Sequence, residues 1–308
     1  MTERIVQSIL TVPELRDEVA ARRAAGATVG FVPTMGALHA GHAALIERAA
    51  REHDLVVVSI FVNPSQFNQS ADLEQYPRNE ARDVQLAGDA GADVCFVPDV
   101  ETIYPDGFAT NVQVRGPLAE TLEGSERGVG HFDGVATVVT VLLNIVGADV
   151  AYFGAKDAQQ VLIVKRFVED LQIPVQIVTV DTVRDDDGLA LSSRNARLTA
   201  DSRDRALAIP AALRAAADAI SDGSATSVES GREIGLERLR AAGVEAEYFT
   251  IADASTLEPA DELTGSLLIA CAATVDGVRL IDNLTVIAPE SPTRTTSTPA
   301  FSAARALG

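Results

Sequence analysis

Short runs that are apolar through their whole length alternate with amphipathic stretches from Thr28 to Thr179. The runs Thr28–Val32, Leu55–Val62, Asp93–Val97, Asp149–Phe153 and Val175–Val180 are rich in β-branched residues. They lack the in–out alternation of a half-exposed strand, which predicts strands buried on both faces. Between them, Gly41–His53, Arg78–Ala90, Phe132–Val146 and Asp157–Asp170 carry helical spacing. Strand–helix alternation predicts right-handed βαβ units and an α/β fold, a Rossmann-like doubly wound parallel sheet.

The polar segment Arg184-Asp185-Asp186-Asp187-Gly188 breaks this pattern. Beyond it come two helical stretches rich in Ala and Arg, 200–221 and 226–242, and strand-like runs at 246–251, 266–272 and 278–281. They predict a second, smaller α+β C-terminal domain. The expected division is 1–183, 184–288 and 289–308, the last a Ser/Thr/Pro/Ala segment without periodicity and expected to be a disordered tail. There is no internal repeat.

Ligands of open parallel sheets sit outside the carboxyl ends of the strands. His39 and His42 follow the first predicted strand, Asn63 and Gln66 the second, and Lys156 the fourth. In Pro33-Thr34-Met35-Gly36-Ala37-Leu38-His39-Ala40-Gly41-His42, a strand ends in a turn and two of the four histidines stand three residues apart where a helix begins. Imidazolium groups there would face the same side, beside helix N–H donors, and would oppose charge building on an attacked phosphorus. Gly36 and Gly41 would let a nucleotide approach the backbone. The bland alternative is a turn with two surface histidines, and a zinc reading lacks a third ligand nearby.

Composition narrows the choice. A net charge of −19 repels nucleic acid and anionic lipid, so an anionic small molecule needs a local positive pocket. The apolar runs are too short to span a bilayer, and no secretion signal is read at the N-terminus, so a cytoplasmic protein is expected. Cys95 and Cys271 sit in apolar runs and read as buried free thiols. Of 25 basic residues, the lysines are Lys156 and Lys165 alone. Lys165 reads as a solvated helix position. Lys156, in the loop-like Gly154-Ala155-Lys156-Asp157, reads as a phosphate contact that calls for a compact ammonium rather than a guanidinium. Asp157 doubles as a helix cap, Ser192-Ser193-Arg194-Asn195 as a phosphate clamp or a capping loop, and Asp83 as a magnesium carboxylate or a solvated helix position. No P-loop, Gly-x-Gly-x-x-Gly turn or nucleophile elbow is present.

In order, these motifs resemble the pantoate–β-alanine ligase family of HxGH nucleotidyltransferases. The resemblance rests on Pro33 to His39 with Gly41-His42, Ser59 to Pro64 with Gln66-Phe67, and Tyr76-Pro77-Arg78. It continues through His131-Phe132 with Gly134-Val135, Phe153-Gly154 with Lys156-Asp157 and Gln159-Gln160, and Ser192 to Asn195. It implies that (R)-pantoate attacks ATP to give pantoyl adenylate and pyrophosphate, and that β-alanine then displaces AMP to give pantothenate, with magnesium assisting in a homodimer. It implies ATP contacts over Met35, Gly36, Ala37, Leu38, His39, Ala40, Gly41 and His42, with His42 as proton donor. Gly154, Ala155, Lys156, Asp157, Val183, Leu191, Ser192, Ser193 and Arg194 would complete the nucleotide pocket. Gln66 and Gln160 would hold pantoate, with Asn63 and Tyr76 beside them. The chain departs from the family pattern at Ala40 and Ala155, where glutamates are usual, at Leu191, where methionine is usual, and in the spacing of Arg127 from His131.

The implied chemistry brings two anions together, so His39, His42, Lys156, Arg194 and magnesium would supply positive charge. The amide-forming step needs a neutral amine, and the sequence offers no obvious base for it. Gly124–Gly134 and Gln69–Tyr76 are candidate lids. The runner-up is another HxGH nucleotidyltransferase acting on a phosphate acceptor; a non-catalytic nucleotide sensor is the alternative from a different class.

Overall fold

The computed structural model describes residues 6–67, 73–74 and 76–289. Most of the candidate lid Gln69–Tyr76 and residues 290–308 of the expected tail lie outside the described residues. The elements run β1 (Gln7–Ile9), α1 (Val12–Ala24), β2 (Val29–Thr34), α2 (Ala40–Glu52), β3 (Leu55–Ile60), α3 (Glu80–Asp89), β4 (Val94–Phe96) and α4 (Val129–Val146). They continue β5 (Val150–Gly154), α5 (Ala158–Asp170), β6 (Gln176–Val180), α6 (Ala208–Ser221), α7 (Val228–Ala241), β7 (Ala246–Asp253), β8 (Ser266–Val275) and β9 (Val278–Ile287). Short helices lie at Pro117–Glu120, Glu123–Arg127 and Ala200–Ala206.

The first six strands form one parallel sheet in the order β1-β4-β3-β2-β5-β6. All six residues of β3 are buried. Alternate side chains go to opposite layers. Phe31 and Val57 pack with α4 and α5, whereas Val32, Val56 and Val58 pack with α2 and α3. A sheet covered on both faces explains why its strands read as continuous apolar runs. From β2 the chain winds outward to β3 and β4, then returns to place β5 on the other side of β2. The crevice between β2 and β5 is therefore the switch point at which a ligand enters.

Strands β7-β8-β9 form a separate antiparallel sheet. Its core joins Ile209, Leu213 and Ile220 of α6 to Phe249, Ile269 and Cys271. A small apolar seam ties the two parts, with Leu268 and Ala270 of β8 against Leu118, Leu122 and Leu162. Both cysteines are free and buried.

Three details differ from the sequence reading. The chain opens with β1 and α1, which pair with β4 and pack under α4. The predicted 200–221 helix breaks at Leu207. Pro210 has no N–H to give the Ala206 carbonyl, so the helix restarts with proline in its first turn. The candidate lid 124–134 is helical apart from Gly128, and two of its glycines, Gly124 and Gly134, serve close packing. A Cβ on Gly124 would lie 1.9 Å from the Ala119 carbonyl oxygen, and one on Gly134 2.4 Å from that of Ser65.

Candidate active site

The turn after β2 is built by its backbone. Gly36 and Ala37 have φ of +79° and +50°, the left-handed region. The strain at Ala37 is held by Asp83 of α3, whose two oxygens accept from Ala37 N and Leu38 N, each at 2.8 Å. Asp83 is only 1% exposed. Both oxygens of the expected magnesium carboxylate are thus engaged in bracing the loop. Leu38 is 1% exposed and points into the α2 layer.

His39 and His42 open α2 as a reciprocal cap. His39 Nδ1 accepts from Gly41 N at 3.1 Å, and His42 Nδ1 accepts from His39 N at 3.3 Å. The rings lie 4.2 Å apart. An Nδ1 that accepts leaves the proton on Nε2, so each ring is a neutral donor. Burial, with His39 beside it, lowers His42 to about 3, and burial followed by Lys156 lowers His39. The expected imidazolium pair is therefore a pair of neutral Nε2–H donors until an anion arrives to favour the charged form.

Lys156 lies in the tight turn Ala155–Asp157 that links β5 to α5. Its side chain is 16% exposed, with Asp157 3.5 Å away. Asn283 of β9 reaches across from the second sheet and donates to the carbonyls of Ala155 (3.0 Å) and Lys156 (2.7 Å). The neighbouring Asp282 accepts two bonds from Arg184, at 2.7 and 3.0 Å. The acidic turn 185–187 is held by Arg203, which donates to Asp185 and Asp187. That hairpin brings Leu191 N to 3.0 Å from Val183 O and so sets two nucleotide-pocket candidates side by side. Ser192 Oγ accepts from Arg194 N and caps the turn that presents Arg194.

On the opposite wall, Asn63 is 1% exposed and is a positioning residue. Its Nδ2 donates to Gln66 Oε1 at 3.0 Å and to the Gly134 carbonyl at 3.2 Å. This fixes the Gln66 amide with its nitrogen toward Met35 Sδ, 2.8 Å away. Gln160 is half-buried at the start of α5, and its side chain makes no hydrogen bond among the described residues. Its neighbour Gln159 is committed to structure, accepting from Glu123 N and donating to the carbonyls of Leu118 and Thr121.

These groups surround one cavity of about 310 Å³. Its walls include Met35, His39, Gly41, His42, Asn63, Gln66, Tyr76, Gly154, Lys156, Asp157, Gln160, Val183, Leu191, Ser192, Ser193 and Arg194. Gly36, Ala37, Leu38, Ala40, Ala155 and Asp83 stand behind the walls and shape the loops. The sequence reading missed Glu123, Tyr248, Asp282 and Asn283, which also border the cavity. Glu123 is 8% exposed and accepts from Arg279 at 2.7 and 2.8 Å, from Arg127 Nε at 2.7 Å and from Tyr248 Oη at 2.9 Å. The period of two in β9, which puts Arg279, Ile281 and Asn283 on one face, was the available signal.

Residues 7–285 match the family described as pantoate-beta-alanine ligase. A pantothenate synthetase of Cereibacter sphaeroides is 52% identical over 276 residues, covering 90% of this chain and 98% of that protein. One of Moorella thermoacetica is 46% identical over 279 residues, 91% of this chain and 98% of that protein. Among solved structures, pantothenate synthetase from Thermus thermophilus is similar with a TM-score of 0.86 at 46% identity, covering 92% of this chain and 100% of that chain. The pantoate-beta-alanine ligase of Francisella tularensis, solved with beta-gamma ATP and β-alanine, has a TM-score of 0.74 at 34% identity over 91% of this chain and 97% of that chain.

Proposed function

The chain belongs to the pantoate–β-alanine ligase family, and on that premise we propose how its residues divide the work. It condenses pantoate with β-alanine at the expense of ATP, through pantoyl adenylate, releasing pyrophosphate and AMP. One observation carries the assignment of roles. His39 and His42 after β2, Lys156 after β5 and Arg194 from the 193–197 turn line one cavity with the amides of Gln66 and Gln160.

ATP lies along the β2–α2 turn with its phosphates toward the Nε2–H groups of His39 and His42. Lys156 follows the charge that moves onto pyrophosphate, and Arg194 holds the outer phosphates. Gln66 and Gln160 hold pantoate by its hydroxyls and carboxylate, which is already ionised and needs no base. Holding the reacting oxygen near the α-phosphorus supplies acceleration by proximity. The part beyond residue 184 acts as the cover that keeps water from the anhydride, supported by its grip on Lys156 through Asn283.

Among the described residues no three His, Cys, Asp or Glu side chains gather to hold a metal ion. Magnesium is therefore read as the counter-ion that enters with ATP as substrate. Asp83→Ala, which orphans two backbone N–H groups, is expected to destabilise the fold by about 2–3 kcal/mol. It should leave unchanged the magnesium concentration that gives half-maximal rate. Urea unfolding and a magnesium titration check this pair; a raised magnesium requirement would restore the metal role. A homodimer, which the resemblance implies, and a cytoplasmic setting belong to the same reading.

Product analysis tests the whole. ATP, pantoate and β-alanine should yield AMP in step with pantothenate. Without β-alanine, product should stop at one bound adenylate per active site. Nucleotidyl transfer to a phosphate acceptor, with no AMP formed, would favour the runner-up.

A further inference from the structure

Three histidines border the cavity, and their hydrogen bonds divide them into two kinds. In His39 and His42, Nδ1 accepts from backbone N–H, so Nε2 carries the proton. In His131, near the start of α4, Nδ1 lies 2.8 Å from the Gln66 carbonyl oxygen. A carbonyl only accepts, so here Nδ1 carries the proton and Nε2 keeps a free lone pair. That Nε2 has no hydrogen-bond partner among the described residues. The backbone that fixes the ring belongs to Gln66, the residue whose amide is read as holding the acid. The cavity thus contains two donors on the phosphate side and one acceptor on the side of the acid.

We propose that His131 is the base of the amide-forming step, its Nε2 taking the proton that the nitrogen of β-alanine sheds as it bonds to the acyl carbon. This rests on the ligase reading above and fills the place for which the sequence offers no candidate. The charges around the ring keep the acceptor open. Burial lowers its basicity, and the Arg127 guanidinium does the same from the helix Glu123–Arg127. The Gln66 carbonyl, Glu123 and Asp157 work in the other direction, and the net shift is downward. The ring is therefore neutral at neutral pH.

Atoms and charge balance through the step. β-Alanine loses one proton to solvent as it docks, and its neutral nitrogen attacks the carbonyl carbon of the adenylate. A C–N bond forms, the carbonyl oxygen becomes an oxyanion, and the nitrogen becomes positively charged and far more acidic. Nε2 of His131 accepts that proton. The adduct then collapses, the C–O bond to phosphorus-bound oxygen breaks, and AMP leaves with the electron pair. The imidazolium returns its proton to water.

The test separates the two half-reactions with His131→Asn, whose amide nitrogen can still donate to the Gln66 carbonyl. Pantoate-dependent ATP–pyrophosphate exchange should stay close to the parent rate. Amide formation with β-alanine should fall by roughly two orders of magnitude, the scale of a lost general base. Hydroxylamine is a weakly basic amine whose adduct loses its proton readily to water, so hydroxamate formation should be largely retained. The acidic limb of kcat/KM for β-alanine should also flatten in the variant. Equal losses in exchange and amide formation would reduce His131 to a support for Gln66 and overturn the proposal, as would an undiminished β-alanine rate. If the variant does not fold, the parent decides: the amine of β-alanine alone gives kcat/KM an acidic limb of slope one, so a limb that steepens to slope two at low pH, with no such limb in exchange, supports the proposal, and slope one throughout overturns it. A parent with no pantoate-dependent exchange would instead remove the ligase reading itself.

Discussion

Lys156→Ala is expected to lower pantoate-dependent ATP–pyrophosphate exchange by roughly two or more orders of magnitude, the scale of losing one preorganised electrostatic partner. The thermal transition should stay in place. The turn that carries Lys156 is held through its backbone, by Asn283 on the carbonyls of Ala155 and Lys156, and truncating the side chain leaves those bonds intact. The ammonium has one weak partner, Asp157 at 3.5 Å, so little structure is lost with it. Because burial lowers the basicity of His39 and His42, Lys156 and Arg194 are expected to carry more of the positive charge toward the phosphates than the histidine motif suggests. Lys156→Arg should also be impaired, since a planar fork does not replace a compact point charge in a confined turn. Full exchange activity in Lys156→Ala would take the ammonium out of the mechanism.

Glu123→Ala is expected to have the largest effect on stability, a loss of about 3 kcal/mol, because two half-buried guanidiniums and a tyrosine lose their hydrogen bonds to one buried carboxylate. Arg279 of β9 and Tyr248 of β7 both lose their partner on the first domain, and Arg127 loses its Nε contact. Denaturant unfolding should show the loss. Activity should fall with it, because the same contacts hold the second sheet against the cavity. Acidity probes the same cluster. Burial opposes ionisation of Glu123, but Arg279 and then Arg127 outweigh it and lower its pKa to about 2. Between pH 4.5 and about 2 the unfolded chain binds more protons at this site than the folded one. The stability contributed by Glu123 is thus complete above pH 4.5 and disappears as the pH falls through about 2. In Glu123→Gln that part of the acid transition should vanish. An unchanged transition would mean that the cluster contributes nothing net.

The layered sheet was legible because strands covered on both faces leave a direct mark, and β3 is apolar at almost every position. The entry into the fold was not. β1 has three residues, two of them exposed, and α1 buries only Leu15 and Val19, so neither carries a strong period. The cavity's main walls were legible because the loops after successive parallel strands converge by topology. What a polar residue does in those walls was harder to see. Asp83 lies 46 residues from Ala37, and Glu123 lies 156 from Arg279. A carboxylate used up by such a distant partner looks the same in sequence as one offered to a metal. Charge on the histidines was hard to read for a related reason. Spacing brings the rings together, but their protonation follows from burial and from the backbone donors that meet Nδ1.

Asn283 has a consequence for the economy of the reaction. One amide clasps both carbonyls of the lysine turn, so β9 cannot swing outward without releasing it. A molecule opened at β9 would therefore lose its roof and the seat of its ammonium together. Adenylation would slow in the very state where water would squander the anhydride, so this one amide, among the contacts between the two sheets, would link nucleotide turnover to closure.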